Sequence, residues 1–285
     1  ITDEFDFTLS KSMRSRIVDS LILCLSDESN EVRRLAAFSL AYFEGDKAHD
    51  ALISCLHDDD FTVVYEAVSS LVGNSVAVPP EEFLHLLSHD DIHIKTKALR
   101  LYGMNCDKPD SKVVTPFLSV EDYDVQTIAA KLMGQTGDMR SSEALLPILD
   151  HPNEYTRIVA AQALVGLGDE RGVATLLSIL EPSSWGEGWG GKLSPPWFFS
   201  TVMETLAEKR VEDAVEPLTN LLSMDVDIGT RKRAVNTLGR IGSTLSIIPI
   251  KRVHSSLLEY IGLANYEREC DLRLEILSAL ANIGG

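Results

Sequence analysis

Residues 56–87 read LHDDDFTVVYEAVSSLVGNSVAVPPEEFLHLL, a stretch that begins and ends on a leucine closing a short apolar run. Inside it a polar turn, HDDD, leads into Val63, Ala67 and Leu71, spaced four apart like one face of a helix. The frame extends in both directions. Leu25, Leu56, Leu87, Leu118, Leu149 and Leu180 each lie 31 residues after the last. Seven residues past each marker come Val32, Val63, Ile94, Val125 and Thr156; eleven past come Ala36, Ala67, Ala98, Ala129 and Ala160. Fifteen past are Leu40, Leu71, Tyr102, Met133 and Leu164, so offsets 7, 11 and 15 make one buried helix face, and the small alanine lets a neighbouring helix approach closely.

The marker leucine closes a shorter helical pattern, as in Leu21 and Leu25, Leu52 and Leu56, or Leu145 and Leu149. Each repeat therefore reads as helix, turn, helix. The turns SDESN, HDDD, SHDD and DHPNE carry Asp and Asn suited to helix N-caps. Gly137, Gly168, Gly242 and Gly284 stand four residues beyond the last core residue, where a left-handed C-cap favours glycine.

The period breaks after Leu180, because the next marker, Leu222, comes 42 residues later. The excess falls in EPSSWGEGWGGKLSPPW, residues 181–197, an insertion between paired helices. Helix is expected again from about Trp197 to Lys209, then a seventh pair from about Val211 to Ile241, with Pro217 placed in a first turn, and an eighth from about Ile250 to Ile283. The last helix ends in LANIGG with an apolar face open to a further repeat or a partner, since terminal repeats need a polar cap. The organisation is an extension over 1–16 and one solenoid over 17–285 carrying the insertion.

These residues resemble the short-period HEAT-like repeats of phycobilisome lyases and many bacterial scaffold proteins, over nearly the whole chain. Ankyrin and tetratricopeptide arrays have nearby periods, roughly 33 and 34 residues, but their signatures are absent. The resemblance implies an all-α fold, a right-handed α-α superhelix (a HEAT-like or armadillo-type solenoid) of about eight helix pairs. It also implies a ladder between an Asp after the first helix and an Arg one position past the Val column; Asp27, Asp58, Arg33 and Arg157 fit it. His89, Val120 and His151 stand at the Asp position and Val64 and Gln126 at the Arg position, which interrupts the ladder.

The chain has 285 residues, 45% apolar and 24% charged, so it is folded rather than disordered. A formal charge of -17 opposes nonspecific binding of nucleic acid and of anionic membranes. No stretch approaches 18 consecutive apolar residues, and the opening ITDEFDFTLSKSM lacks the basic start and apolar centre of a signal peptide. The chain starts at Ile1 rather than Met, which leaves room for a removed leader. The four cysteines form no CxxC pair, and the expected location is cytoplasmic; Cys24 and Cys55 share a repeat position and read as core thiols.

No His-Glu pair of the kind repeated in HEAT-like iron hydroxylases occurs. His49-Asp50, His57-Asp58 and His89-Asp90 fall at different repeat positions, and the cluster His85, His89, Asp90, Asp91 and His93 straddles a helix end. No metal and no cofactor are expected. Phosphate-binding glycine loops and a nucleophile elbow are absent too, so nucleotide binding through such loops and hydrolase chemistry lack support, and a noncatalytic role is favoured over an enzymatic one.

Two features point instead to a partner. Trp185, Trp189 and Trp197 are all the tryptophans, and they sit in or beside the insertion, either as contact residues or as a satellite core. The second helix of each pair is expected to line the concave surface, with offsets 9 and 13 facing outward: Arg34 and Phe38, Tyr65 and Ser69, Thr96 and Arg100, Thr127 and Lys131, Ile158 and Gln162. The row contains no carboxylate, and Lys232 extends it. Its basic members either meet a partner or neutralise nearby acids. The sequence reads as a noncatalytic protein-binding scaffold or adaptor, an immunity-type protein being one that suits the acidity. A bilin lyase or chaperone of phycobiliproteins is the alternative implied by the resemblance, and HEAT-like nucleic-acid binding conflicts with the charge.

Overall fold

A computed structural model describes residues 10–181, 185–187, 193–194, 197–224, 226–259 and 266–284. The chain divides into two compact units, residues 1–132 and 133–285.

In the first unit, helices α1 (Lys11–Cys24), α2 (Asn30–Leu40), α3 (Asp46–Ser54), α4 (Phe61–Gly73), α5 (Pro80–Phe83), α6 (Ile92–Asn105) and α7 (Ser111–Val114) follow one another, and α8 (Tyr123–Gln135) begins. Helix α1 starts inside the stretch read as an extension, because the Ser10 hydroxyl accepts the Met13 N–H and caps it. The second helices α2, α4 and α6 pack in succession. Ala36, Ala67, Ala98 and Ala129 of the alanine column are all buried, as are Leu40, Leu71, Tyr102, Val63, Ile94 and Val125. Caps form where the turns place acids: Asp60 accepts from Thr62 N–H, Asp91 from His93 and Ile94, and Asp122 from Val125.

Some first helices are shorter than the leucine spacing implies. After one α-turn, α5 and α7 tighten into 3-10 helix over Leu84–Ser88 and Thr115–Ser119. Pro116 explains the second case, since it has no N–H for an i to i−4 bond.

The second unit contains the end of α8, then α9 (Ser142–Leu145), α10 (Glu154–Leu167), α11 (Val173–Ser178), α12 (Phe199–Glu208), α13 (Val215–Leu222), α14 (Ile228–Ile241), α15 (Ile247–Glu259) and α16 (Tyr266–Ile283). Pro217 lies in the first turn of α13. Gly168 and Gly242 end α10 and α14 in left-handed geometry, and Gly137 and Gly284 also have positive φ. Gly134 is needed for a different reason: a Cβ there would sit 2.9 Å from the Ala163 backbone of α10.

Between α11 and α12 the insertion contains a two-rung antiparallel ladder, Gly186 against Ser194 and Glu187 against Leu193, which the periodicity did not announce. The fold is otherwise helical throughout the described residues.

Candidate protein-binding face

The outward row is largely where its spacing puts it in the first unit. Phe38, Tyr65, Arg100 and Lys131 are exposed, and Phe38 meets Tyr42 edge-on at 5.5 Å. Thr96 and Thr127 instead turn their hydroxyls back onto the Ile92 and Tyr123 carbonyls.

Arg34 is different. Its guanidinium bonds both oxygens of Glu31 on its own helix, at 2.8 and 3.0 Å, and reaches Glu66 on α4 at 2.9 Å. These bonds raise its pKa and lower that of Glu31. Arg34 therefore stitches two repeats together, and the neutralising alternative holds for it. Glu66, at offset 10, was not part of the outward row, and only packing brings it to Arg34.

The row also ends earlier than expected. Ile158, expected outward, is 1% exposed and belongs to the apolar cluster of the second unit. Trp185 belongs to the same cluster. At 7% exposure it packs edge-on to Phe199 at 5.2 Å, and its indole N–H donates to the Ile179 carbonyl at 2.9 Å. It is satellite core and is withdrawn from the contact residues, since a buried indole with a satisfied N–H offers a partner nothing. Trp197, in contrast, is 74% exposed, packed at a tilt against Tyr155 at 4.5 Å and edge-on to Phe198 at 5.5 Å. Trp189 lies outside the described residues. Gln162 bonds the Thr205 hydroxyl, and Lys232 on α14 is half-buried and already engaged. The run Trp197-Phe198-Phe199 was a signal that this end of the insertion is core-forming, yet only contact with Tyr155 shows which ring stays outside.

The ladder survives in changed form. Arg33 makes two bonds to Asp58, at 2.8 and 2.9 Å, and one to the Asp27 carbonyl. Arg157 bonds the His151 and Pro152 carbonyls, and Gln126 the Leu118 carbonyl, so these side chains tie down the end of the preceding turn. In the Asp column, Asp27 and Asp58 accept the backbone N–H two residues ahead at 2.8 Å, and His89 and His151 do the same through Nδ1 at 3.0 Å. Histidine replaces the carboxylate because both present an acceptor at similar reach. Exchanging His151 for Asp is accordingly expected to leave the melting point within about 0.5 kcal/mol of wild type, while His151→Ala costs about 0.5–1.5 kcal/mol for the lost bond. Equal losses for both variants in thermal unfolding would contradict this role.

The histidine and acid cluster does not converge. His85 donates from Nε2 to the Leu56 carbonyl at 3.1 Å, His89 closes its turn and Asp91 caps α6. Among the described residues no group of three or more metal-ligating side chains is assembled. Cys55 is buried and its thiol is pushed up to about 11 by desolvation, which makes it a packing residue, whereas Cys24 is half-buried.

Acid stability follows from the turns. The Arg33 hydrogen bond holds the Asp58 carboxyl below its usual 3.8, and Thr62 and Asn30 hold Asp60 down to about 2. The Arg171 guanidinium holds Asp169 at about 2 likewise. Because these folded-state values are depressed, their stabilisation is complete above pH 3.8 and drains away as pH falls toward 2. Melting temperature should drop over that interval, and Asp58→Asn should flatten the drop while lowering the neutral-pH value. An unchanged slope in the variant would show that Asp58 does not contribute.

The geometry defines a helical-repeat protein whose second helices pack in succession through a buried alanine column and carry exposed side chains on their outer positions in the first unit. The HEAT repeat model matches residues 18–91 and 111–187, and the chain belongs to that family. No curated protein sequence matches it. Among solved structures it is similar to Escherichia coli YibA, with 14% identity, 97% of this chain and 98% of that one covered and a TM-score of 0.59. It is also similar to the complex of CpcE and CpcF of phycocyanin lyase from Nostoc, with 16% identity, 96% of each chain covered and a TM-score of 0.50. A chain of the AP-3 complex matches at 16% identity and a TM-score of 0.57, over 95% of this chain and 51% of its own length.

Proposed function

We propose that the protein is a noncatalytic scaffold or adaptor that holds another protein on the second-helix face of its first unit. The observation carrying this reading is that α2, α4, α6 and α8 all present outward-row side chains to solvent, Phe38, Arg100 and Lys131 at offset 13 and Tyr65 at offset 9. Aromatic and arginine side chains are the residues most often found as interaction hot spots. Trp197, exposed on its Tyr155 shelf, is a second contact point in the other unit. Similarity to chains that occur in the CpcE–CpcF and AP-3 complexes supports a protein partner. No described helix is long and apolar enough to cross a membrane. A reducing, cytoplasmic setting suits Cys24, Cys55 and Cys106, which are free thiols.

Placing a photo-crosslinking residue at Phe38 or Tyr65 in the native cell should trap one protein in stoichiometric amount, and the same residue at exposed Lys112 on α7 should not. Crosslinks only from the Lys112 position would move the binding face to the first helices. A second reading, bilin attachment or removal on a phycobiliprotein, draws on the similarity to phycocyanin lyase. A visible absorbance shift on mixing with a linear tetrapyrrole would favour it over the scaffold.

A further inference from the structure

Residues 1–132 carry 12 Lys and Arg against 23 Asp and Glu. The second helices reverse this balance. Helices α2, α4 and α6, with the part of α8 in the first unit, bear Arg33, Arg34, Lys95, Lys97, Arg100 and Lys131 but only Glu31, Glu66 and Asp124. The two arginines of α2 are consumed by Asp58, Glu31 and Glu66.

Among the described residues the cations of α6 and α8 have no such partners, and the repeat shows why. Arg33 stands at offset 8 and bonds the residue at offset 2 of the following repeat, Asp58. Two repeats later the same two positions hold Lys95 and Val120, and valine cannot accept a bond. Arg34 bonds Glu66, which stands at offset 10 of the following repeat. One repeat on, that column holds Lys97, a cation where its predecessor has the carboxylate. Arg100 and Lys131 share offset 13 and are both exposed. Their helices touch, since a Cβ on Gly103 would collide with the Leu132 side chain. Among the described residues no ion pair engages Lys95, Lys97, Arg100 or Lys131.

The strip adjoins an apolar ledge. Tyr65 on α4, Phe38 on α2, Tyr42 in the turn just after α2 and Met104 on α6 are all exposed. Resting on the reading of this face as protein-binding, we propose that it takes an acidic segment of a partner protein that also carries aromatic or aliphatic anchors. Carboxylates of that segment meet Lys97, Arg100 and Lys131, and its anchors lie on Phe38, Tyr42 and Tyr65. The charge favours protein over nucleic acid, because a long polyanion would meet the acidic remainder of the unit wherever it left the strip, whereas a short segment does not. Three cations beside an aromatic ledge match a few carboxylates flanked by apolar side chains.

The test is to pan a random twelve-residue peptide library on the immobilised full chain and measure the best binders by fluorescence anisotropy. Enriched peptides should contain several Asp or Glu with at least one aromatic or large aliphatic residue, and their affinity should fall with added salt. Reversing Arg100 and Lys131 together to Glu should weaken binding at least tenfold at an unchanged melting temperature, because exposed charges contribute little to stability. The double Gln variant should give an intermediate loss. Neutral or basic winners, an unmoved affinity in the Glu variant, or a 20-nucleotide single strand that binds more tightly than the peptides would each overturn the proposal. Peptides of the wrong charge that still crosslink at Tyr65 would sink the acidic class alone. Crosslinking confined to the Lys112 position would sink the face itself.

Discussion

Trp185→Ala is expected to destabilise the second unit by about 3–5 kcal/mol, the usual cost of emptying a buried tryptophan site. The indole sits in the cluster of Ile158, Leu180, Phe198 and Phe199, and its loss also strips the Ile179 carbonyl of its donor. At about 2–4 °C per kcal/mol, melting should fall by roughly 10 °C. Trp197→Ala should cost only about 0.5–1.5 kcal/mol, the worth of its ring contacts, and should instead reduce partner binding. Emission separates the two: Trp185→Phe should remove a blue, poorly quenched component and Trp197→Phe a red, quenchable one. If the Trp185 variant melts like wild type, the insertion does not form the core described above.

Overpacking the alanine column should have the next largest effect. Ala98 and Ala129 are both 0% exposed, on α6 and α8. Phenylalanine at either site needs space that a close-packed interior lacks, and it should cost about 1–3 kcal/mol or more by pushing the neighbouring helix away. Substituting Arg100 or Lys131 on the same helices should leave melting within about 0.5 kcal/mol. Wild-type melting in both Phe variants would mean that the wrong face of the second helix has been identified as core.

Much of the fold was legible because its determinants are local and repeated. A residue at offset 11 faces the same neighbour in every repeat, so five alanines report one contact, and Gly168 and Gly242 report a helix end directly through their positive φ. The shortened first helices were less legible, since the leucine spacing of four does not separate an α-turn from a 3-10 turn. Within the candidate site, Phe38, Tyr65, Arg100 and Lys131 could be placed from spacing alone. Arg34 could not, because its state depends on Glu66, 32 residues away, and no periodic rule says that this pair bonds.

By itself the sequence determined the family, the helix faces, the caps and the acidic frame with its carboxylate-free row, all properties of single helices or of their exact repetition. The tertiary structure decided what happens where repetition fails. It buried Trp185 and Ile158 in one apolar cluster, left Trp197 on Tyr155, gave His89 and His151 the work of aspartates, and separated the ion-paired arginines of α2 from the cations of α6 and α8, which no ion pair among the described residues engages. The reason is physical: burial, stacking and ion pairing depend on distances between residues far apart in the chain, and those distances exist only once the helices have packed.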